Sequence, residues 1–484
     1  MRYICKKHWL FFLILVMGFL IRIYGINLPI YETSGTRQEI TASVARNYFV
    51  TDTDFLMPLI DFPGKTHPLY LEMPLYPYMV SLLYRVSGGV NESLARLLNI
   101  LFAMGLMVVV YLFAMSIFTN RKKASWAMAV VAFSPIMITY TRTVQPDPLM
   151  FLLSTMTIFF AYRWYRKDLM RDFIIMTVFF SIAMLAKPQS LFAFFPIAYV
   201  FWHKYRWKAI YSWQFIVFCC IGGGPFLVWL YFIKKMHILY PNSSWGETAS
   251  LSQILYQEKL LTLKFWNNFL EYIGGKGLTP IGLFFLIKSV FHRRKMDPFF
   301  YVWLGGIFIY LFMFAANTES HKYYYVPLFI CAAMFIGHIL GEANIGFRRP
   351  LHRLWIYFFC FVAFLGILGL KSTYRLADFY QYVIPSSQAL RDISHKDDLV
   401  IAVRRIYYTE RSGWEVPFSH ERTDQEIFEE INEKRRKGAK YLLISYRPYI
   451  DERPLLKSRL DLSYSLIKDE STFLIYQLEE RVKG

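Results

Sequence analysis

Ten side chains that can give or take a proton or present a carboxylate, Glu32, Glu39, Asp52, Asp54, Asp61, His67, Glu72, Asp147, Glu319 and His321, fall near the ends of apolar segments or in the long stretches between them. Charge held at such a boundary is costly without a partner or a task. Six cations, Arg37, Arg46, Arg96, Arg142, Lys187 and Lys322, share the same side of the pattern. Carboxylates placed this way can deprotonate a hydroxyl, and the cations can hold an anionic group.

These residues are positioned by about eleven apolar segments, near 9–27, 93–118, 124–141, 147–162, 172–186, 188–202, 211–233, 273–290, 298–316, 323–341 and 354–371. Most are long enough to span a bilayer as helices. Lys and Arg recur at alternate connections: Arg2, Lys6 and Lys7; Arg121 to Lys123; Arg163 to Arg171; Lys204 to Lys208; Arg293 to Lys295; Arg348 to Arg353. Basic connections mark the cytoplasmic side, which puts the N-terminus inside and the chain beyond residue 371 outside. Lys234 and Lys235 fall on the other side from this rule. The first apolar run has no small-residue cleavage site after it and is interrupted by Arg22, so it reads as a retained span.

With 55% hydrophobic and 19% aromatic residues over 484 positions, the chain exceeds what one soluble core accommodates. The net charge of +19 comes in short clusters at segment ends. Such clusters are topology signals beside anionic lipid and give no continuous patch for nucleic acid. Cys5, Cys219, Cys220, Cys331 and Cys360 lie at the cytoplasmic end or within segments, and offer neither a disulfide framework nor zinc spacing.

Two intervening stretches, 28–92 and 234–272, are too long for turns and lie on the outer side. In the first, Gln38 to Tyr48 and Tyr76 to Tyr84 are expected to form juxtamembrane helices at the interface. From residue 372 the composition becomes mixed. Asp398 to Val403, Tyr441 to Ser445 and Thr472 to Leu478 read as strands, and Thr423 with Glu426 forms a capping box for a helix that Gly438 closes. The expected architecture is an all-α polytopic membrane domain over 1–371, with the large outer loop 28–92, followed by a small extracytoplasmic α/β domain over 372–484. Gly222 to Gly224, inside an apolar segment, permits close packing or a kink.

Five motifs in order carry a family resemblance. Thr36-Arg37-Gln38-Glu39-Ile40-Thr41-Ala42-Ser43-Val44-Ala45-Arg46-Asn47 is similar to an R-Q-x-x-T-A-x-x-A-R-N stretch. Glu72-Met73-Pro74-Leu75-Tyr76-Pro77-Tyr78 resembles E-x-P-L-Y-P-Y, with Gly88 and Arg96 placed as in G…R-L. Pro146-Asp147-Pro148-Leu149-Met150, Lys187-Pro188 and His321-Lys322-Tyr323-Tyr324-Tyr325-Val326-Pro327 resemble P-D-P-L-M, L-x-K-P and H-x-Y-Y-x-x-P. They are the motifs of the bacterial relatives of dolichyl-phosphate-mannose protein mannosyltransferase and of the aminoarabinose transferases, and together they cover the chain to about residue 371.

The resemblance implies a type C glycosyltransferase of the plasma (inner) membrane that takes sugar from a polyprenyl-phosphate donor and passes it, with inversion, to an extracytoplasmic acceptor. Chemistry agrees in outline. Such a donor needs an apolar groove, cations for its phosphate and a carboxylate for the acceptor hydroxyl. The implied catalytic residues are Glu39, Glu72 and Asp147; Arg37, Arg46, Arg96, Lys187, His321, Lys322 and Tyr324 are implied in substrate binding. Cofactor need is undecided, with a divalent ion allowed but not required, and membrane lipid is a further partner. In the aminoarabinose transferases an Asp falls where this chain has Arg37, and a phosphate-binding Lys where it has Met73. The loop base is therefore open among Glu39, Glu72 and Glu32.

Plainer readings stand beside these. Glu39 pairs with Arg37 or Arg46 on an interfacial helix; Asp147 caps a helix N-terminus; Lys187 is a snorkelling anchor; His321 is a structural hydrogen-bonder. Two other functions also fit: a flippase for the same lipid-linked sugar, against which the lack of repeats and of acids deep in the segments weighs, and a non-catalytic family member.

Overall fold

The computed structural model describes residues 2–30, 35–243, 257–292, 295–342 and 380–479. By internal contacts the chain divides into two units: Met1–Leu28 with Tyr70–Thr373, and Pro29–Leu69 with Tyr374–Gly484. The expected division at residue 371 placed 29–69 with the membrane helices instead.

The first unit is helical. Ten of the eleven expected apolar segments lie on helices, and the last, near 354–371, lies outside the described residues together with Glu32 and the Arg348 to Arg353 cluster. By length and composition three described helices can cross a bilayer, Glu92–Phe118, Trp213–Leu239 and Lys322–Glu342. A fourth joins them if Leu263–Gly275 and Thr279–Val290, bent by 90°, form one span. Segments 147–162 and 172–186 lie within the unbroken helices Asp147–Lys167 and Met170–Ala186, whereas others are divided. Segment 124–141, for example, is two helices, Arg121–Phe133 and Pro135–Tyr140. Ser134 between them is extended at ψ 126°, as a residue preceding proline prefers.

Close helix contact is set by small residues. A Cβ on Gly337 would stand 2.7 Å from the Lys123 carbonyl oxygen, and one on Gly341 2.8 Å from the Lys123 nitrogen. Val326–Glu342 and Arg121–Phe133 therefore cross backbone to backbone, as small residues four apart allow. The Gly222 to Gly224 run coincides with an irregular turn: Phe218–Gly223 forms one π-helical turn within Trp213–Leu239. Of the two expected interface helices, Leu75–Ser87 keeps one buried face, Tyr76, Val80 and Tyr84, and exposes Leu82 and Val86.

The other does not lie at an interface. Gly35–Val50 is buried on every side from Gln38 to Tyr48 and belongs to the second unit. A helix enclosed all round is a core element rather than a surface one. A two-stranded hairpin follows it, β1 (Leu59–Ile60) and β2 (His67–Pro68). The tail contributes a five-stranded mixed sheet made of β3 (Leu399–Ala402), β4 (Gly413–Glu415), β5 (Ala439–Ile444), β6 (Ser465–Asp469) and β7 (Leu474–Gln477), in the order β4-β3-β5-β7-β6. β3 pairs parallel with β4 and β5; β7 pairs antiparallel with β5 and β6. The helix Asp424–Arg436 opens with the expected reciprocal cap between Thr423 and Glu426. Its Ile427 and Ile431 pack with Leu456, Leu460 and the β-strand residues Ile401, Leu442 and Leu474.

The early loop joins this domain through backbone bonds. Gly64 N–H donates to the Gly413 carbonyl at 2.6 Å, and Gly413 N–H to the Asp61 carbonyl at 3.1 Å. Gly413 has φ +157°, and a Cβ there would collide with the Val400 carbonyl. Only glycine lets the two backbones approach this closely.

Candidate functional site

Asp147 is the first residue of the helix Asp147–Lys167 and is fully buried. Its side chain does not cap that helix. Lys187 Nζ donates to Oδ1 at 2.8 Å and Oδ2 at 2.7 Å, so both carboxylate oxygens face one ammonium. Lys187 itself is extended, with φ −165° and ψ 125°, between the helix Met170–Ala186 and the 3-10 turn Pro188–Ala193. Pro188 enforces that break by disfavouring helical backbone in the residue before it. At 3% exposure Lys187 is no snorkelling anchor.

An aromatic layer lies against the pair. Lys187 Nζ is 4.1 Å from the Tyr323 ring centre, a cation–π contact. Tyr323 stacks on Tyr324 at 5.2 Å, His321 stacks on Tyr323 at 5.4 Å, and Tyr310 stacks on Tyr324 at 6.0 Å. Gln189 Nε2 donates to Tyr324 Oη at 2.9 Å. Lys322 reaches over Tyr272 at 5.2 Å. His321 is exposed and Lys322 half-buried, while both tyrosines are buried.

Glu72 comes to the same neighbourhood through its backbone. Met73 N–H donates to the Leu185 carbonyl, two residues before Lys187, at 3.1 Å. Trp229 Nε1 donates to the Leu71 carbonyl at 3.3 Å. The backbone on both sides of Glu72 is thus pinned, and Glu72 is half-buried. Glu319, also expected as an acid, is held at 3.3 Å by both Lys259 and Lys264.

The predicted arginines divide. Arg96 is fully buried and donates to the carbonyls of Ile26, at 2.8 Å, and Leu28. Arg142 donates to those of Tyr24 and Gly25 at 3.0 and 2.9 Å. Arg22, which only interrupted the first segment in sequence, is fully buried and donates to Thr141 Oγ1, Gly18, Ala132 and Val131. Arg96 and Arg142 thus bond the chain leaving the first helix, and Arg22 joins that helix to Val131, Ala132 and Thr141.

The second unit holds the remaining candidates. Glu39 is fully buried and accepts from Arg405 Nη1 at 2.8 Å. Arg37 is half-buried. Arg46 donates to Asp61 Oδ2 at 2.6 Å and to the Tyr407 carbonyl at 2.8 Å, with its guanidinium 4.5 Å from the Tyr407 ring centre. Burial works against its charge, but Asp61 outweighs that and holds the guanidinium above its ordinary value. Asp61 also accepts from Ser43 at 2.8 Å and Asn47 at 3.0 Å, which leaves it a structural acceptor. Asp52 and Asp54 are exposed, and His67 is half-buried with Nδ1 at 2.8 Å from the Lys65 carbonyl. A cleft of about 780 Å³ lies in this unit, lined by Arg46, Asp61, Lys65, Lys396, Asp397 and Arg411 among others.

Residues not singled out from sequence include Arg405, Tyr310, Gln145 and Gln189. Gln145 and Gln189 stand two positions from Asp147 and Lys187, a proximity that sequence offers; Arg405 has no local signal. Among the described residues no group of three or more His, Cys, Asp or Glu side chains converges to hold a metal ion. With both oxygens of Asp147 on Lys187, the arrangement does not fit a divalent ion at that carboxylate.

The family model for dolichyl-phosphate-mannose-protein mannosyltransferase matches residues 66–229, the stretch bearing Glu72, Asp147 and Lys187. Comparison with curated protein sequences gives no match. Among solved structures, ArnT from Cupriavidus metallidurans bound to undecaprenyl phosphate aligns over 99% of each chain with a TM-score of 0.66 at 12% identity. The archaeal oligosaccharyltransferase AglB from Archaeoglobus fulgidus, in complex with an inhibitory peptide and a dolichol-phosphate, aligns over 98% of this chain and 75% of its own, with a TM-score of 0.53 at 11% identity. The arabinofuranosyltransferase AftD from Mycobacteria aligns over 98% of this chain and 42% of its own, with a TM-score of 0.54 at 11% identity. At these identities the likeness is one of fold, and the motifs add to it. The chain has the fold of the type C membrane glycosyltransferases and resembles the dolichyl-phosphate-mannose protein mannosyltransferases and ArnT.

Proposed function

We propose that the protein is an inverting glycosyltransferase that moves a sugar from a polyprenyl-phosphate donor to an acceptor hydroxyl outside the plasma membrane. The observation that supports this most is the buried Asp147–Lys187 pair against Tyr323, with the Glu72 segment pinned beside it, in a chain whose fold matches ArnT bound to undecaprenyl phosphate. Glu72 is the general base. It is a half-buried acid in the stretch that the family model matches, and the backbone next to it bonds to Leu185, two residues before Lys187. In the transfer step the acceptor oxygen bonds to the anomeric carbon, the bond from that carbon to the phosphate oxygen breaks, and Glu72 receives the acceptor proton. The polyprenyl phosphate leaves with the bonding pair. Lys322 and Lys187 supply positive charge toward it, Asp147 fixes Lys187, and Tyr324 with His321 packs the donor. No step is routed through a metal.

Purified protein with a polyprenyl-phosphate sugar and an envelope acceptor extract tests the reading. Transfer should occur, and Glu72→Gln should lower turnover by about a hundredfold or more with insertion unchanged. Wild-type turnover in Glu72→Gln would remove that residue as base; no transfer by the wild type from any donor would sink the reading.

A further inference from the structure

Several buried polar atoms on, or linked by contacts to, the elements that carry Asp147 and Lys187 have no hydrogen-bond partner among the described residues. Tyr310 is 2% exposed, and its hydroxyl has no hydrogen-bond partner among the described residues. Gln189 donates to Tyr324, yet its own Oε1 is buried and unpartnered among the same residues. Gln145, fully buried two positions before Asp147, has a partner there for neither Nε2 nor Oε1. Buried polar groups left unpaired carry a desolvation penalty, and native proteins avoid nearly all of them. Unpaired groups that persist beside a site are candidates for ligand contacts.

Their placement joins them to the site. Tyr310 stacks on Tyr324, which stacks on Tyr323, whose ring takes the Lys187 ammonium. Gln145 is fixed by its backbone: Asn99 Nδ2 donates to its carbonyl at 2.9 Å and to Tyr76 Oη at 2.8 Å. The groups lie on three separate elements, the turn before Asp147, the 3-10 turn after Lys187 and the helix Pro298–Met313.

Their chemistry is neutral. Two amides and a phenol can donate to and accept from sugar hydroxyls but offer no counter-charge. The formal charges beside them are matched to each other, with both oxygens of Asp147 on Lys187. An ammonium or a carboxylate on the sugar would find no counter-charge in these three groups. We propose that Tyr310, Gln189 and Gln145 read the hydroxyls of the transferred sugar, and that this sugar is an uncharged, hydroxyl-bearing monosaccharide rather than an amino sugar or a uronic acid. The inference rests on the donor-site reading above and deepens it.

The test compares three polyprenyl-phosphate donors, carrying a neutral hexose, its amino sugar and its uronic acid, with wild type, Tyr310→Phe and Gln145→Leu. The neutral donor should be used at least about tenfold better than either charged one, the scale of one or two hydrogen-bonded groups. Tyr310→Phe should keep or raise the melting temperature, since it removes an unpaired buried hydroxyl, yet lose about tenfold in kcat/KM and lose discrimination against a deoxy-sugar donor. Preference for a charged sugar, or wild-type kinetics in both variants, overturns this inference and leaves transfer itself standing. Absence of transfer from every donor overturns it together with the donor-site reading.

Discussion

Arg405 Nη1 stands 2.8 Å from Glu39 Oε2, joining residues 366 positions apart, and Glu39 has no exposed side-chain surface. The carboxylate that sequence offered as a base in the first loop is thus the buried half of an ion pair with the tail. Removing Arg405 takes away a close counter-charge of a buried carboxylate, a change that costs up to about 3–5 kcal/mol. Arg405→Ala should therefore lower the hydrogen-exchange protection of Gly35–Val50, and Arg405→Ala with Glu39→Gln should recover much of it. Equal protection in wild type and Arg405→Ala would show that the pair adds no stability.

The Asp147–Lys187 pair separates folding from chemistry in the same way. Asp147→Asn removes the counter-charge of a buried ammonium, at a cost of up to about 3–5 kcal/mol, so the melting temperature of the solubilised protein should fall and transfer should stop. Asp147→Leu with Lys187→Met removes both charges and should restore melting without restoring transfer. Transfer by that double variant would take the pair out of the mechanism.

Arg96 should behave as a strap. Arg96→Met removes its bonds to the carbonyls of Ile26 and Leu28. The groups left unpaired cost about 1–3 kcal/mol. Yield and melting temperature should drop while the folded fraction keeps its donor KM. A large rise in donor KM with normal melting would return Arg96 to the phosphate.

Acid should loosen the second unit through Asp398. Its carboxylate lies 2.7 Å from Lys440 Nζ and accepts from the His395 amide at 2.7 Å. Burial raises the carboxyl, but these two hydrogen bonds prevail and leave it below the ordinary value. A lowered folded pKa gives stability that is fully present above the unfolded value, about 3.9, and is lost as pH falls through the folded one. Asp398→Asn should be less stable at neutral pH and should lose less stability than wild type below about pH 4. Identical pH profiles would contradict the assignment.

Local signals survived the passage from sequence to structure best. The Thr423 and Glu426 cap needs only four residues of chain, and β3, β5 and β7 follow from compact apolar runs. Strands as short as β4, three residues, leave no period to read. The candidate acids and cations were legible as types, but their partners were not. Lys187 lies 40 residues from Asp147, and Glu39 had nearer arginines than Arg405 on its own helix. Burial of Gly35–Val50 on all sides was hidden because its polar residues, Gln38, Glu39, Ser43, Arg46 and Asn47, imitate a solvated face. Helix breaks at Ser134 and Lys187 were marked by the prolines that follow them, yet apolar content on both sides masked them.

The Gly64–Gly413 ladder closes a unit begun near residue 29 with strands made near the end of the chain. If this unit forms on one face of a bilayer, an even number of crossings must separate its two halves. Any insertion error that removes a single crossing there would put the two halves on opposite faces and leave each without its partner. The early segment must also wait, incomplete, until nearly the whole chain has been synthesised, which makes this unit the last to fold.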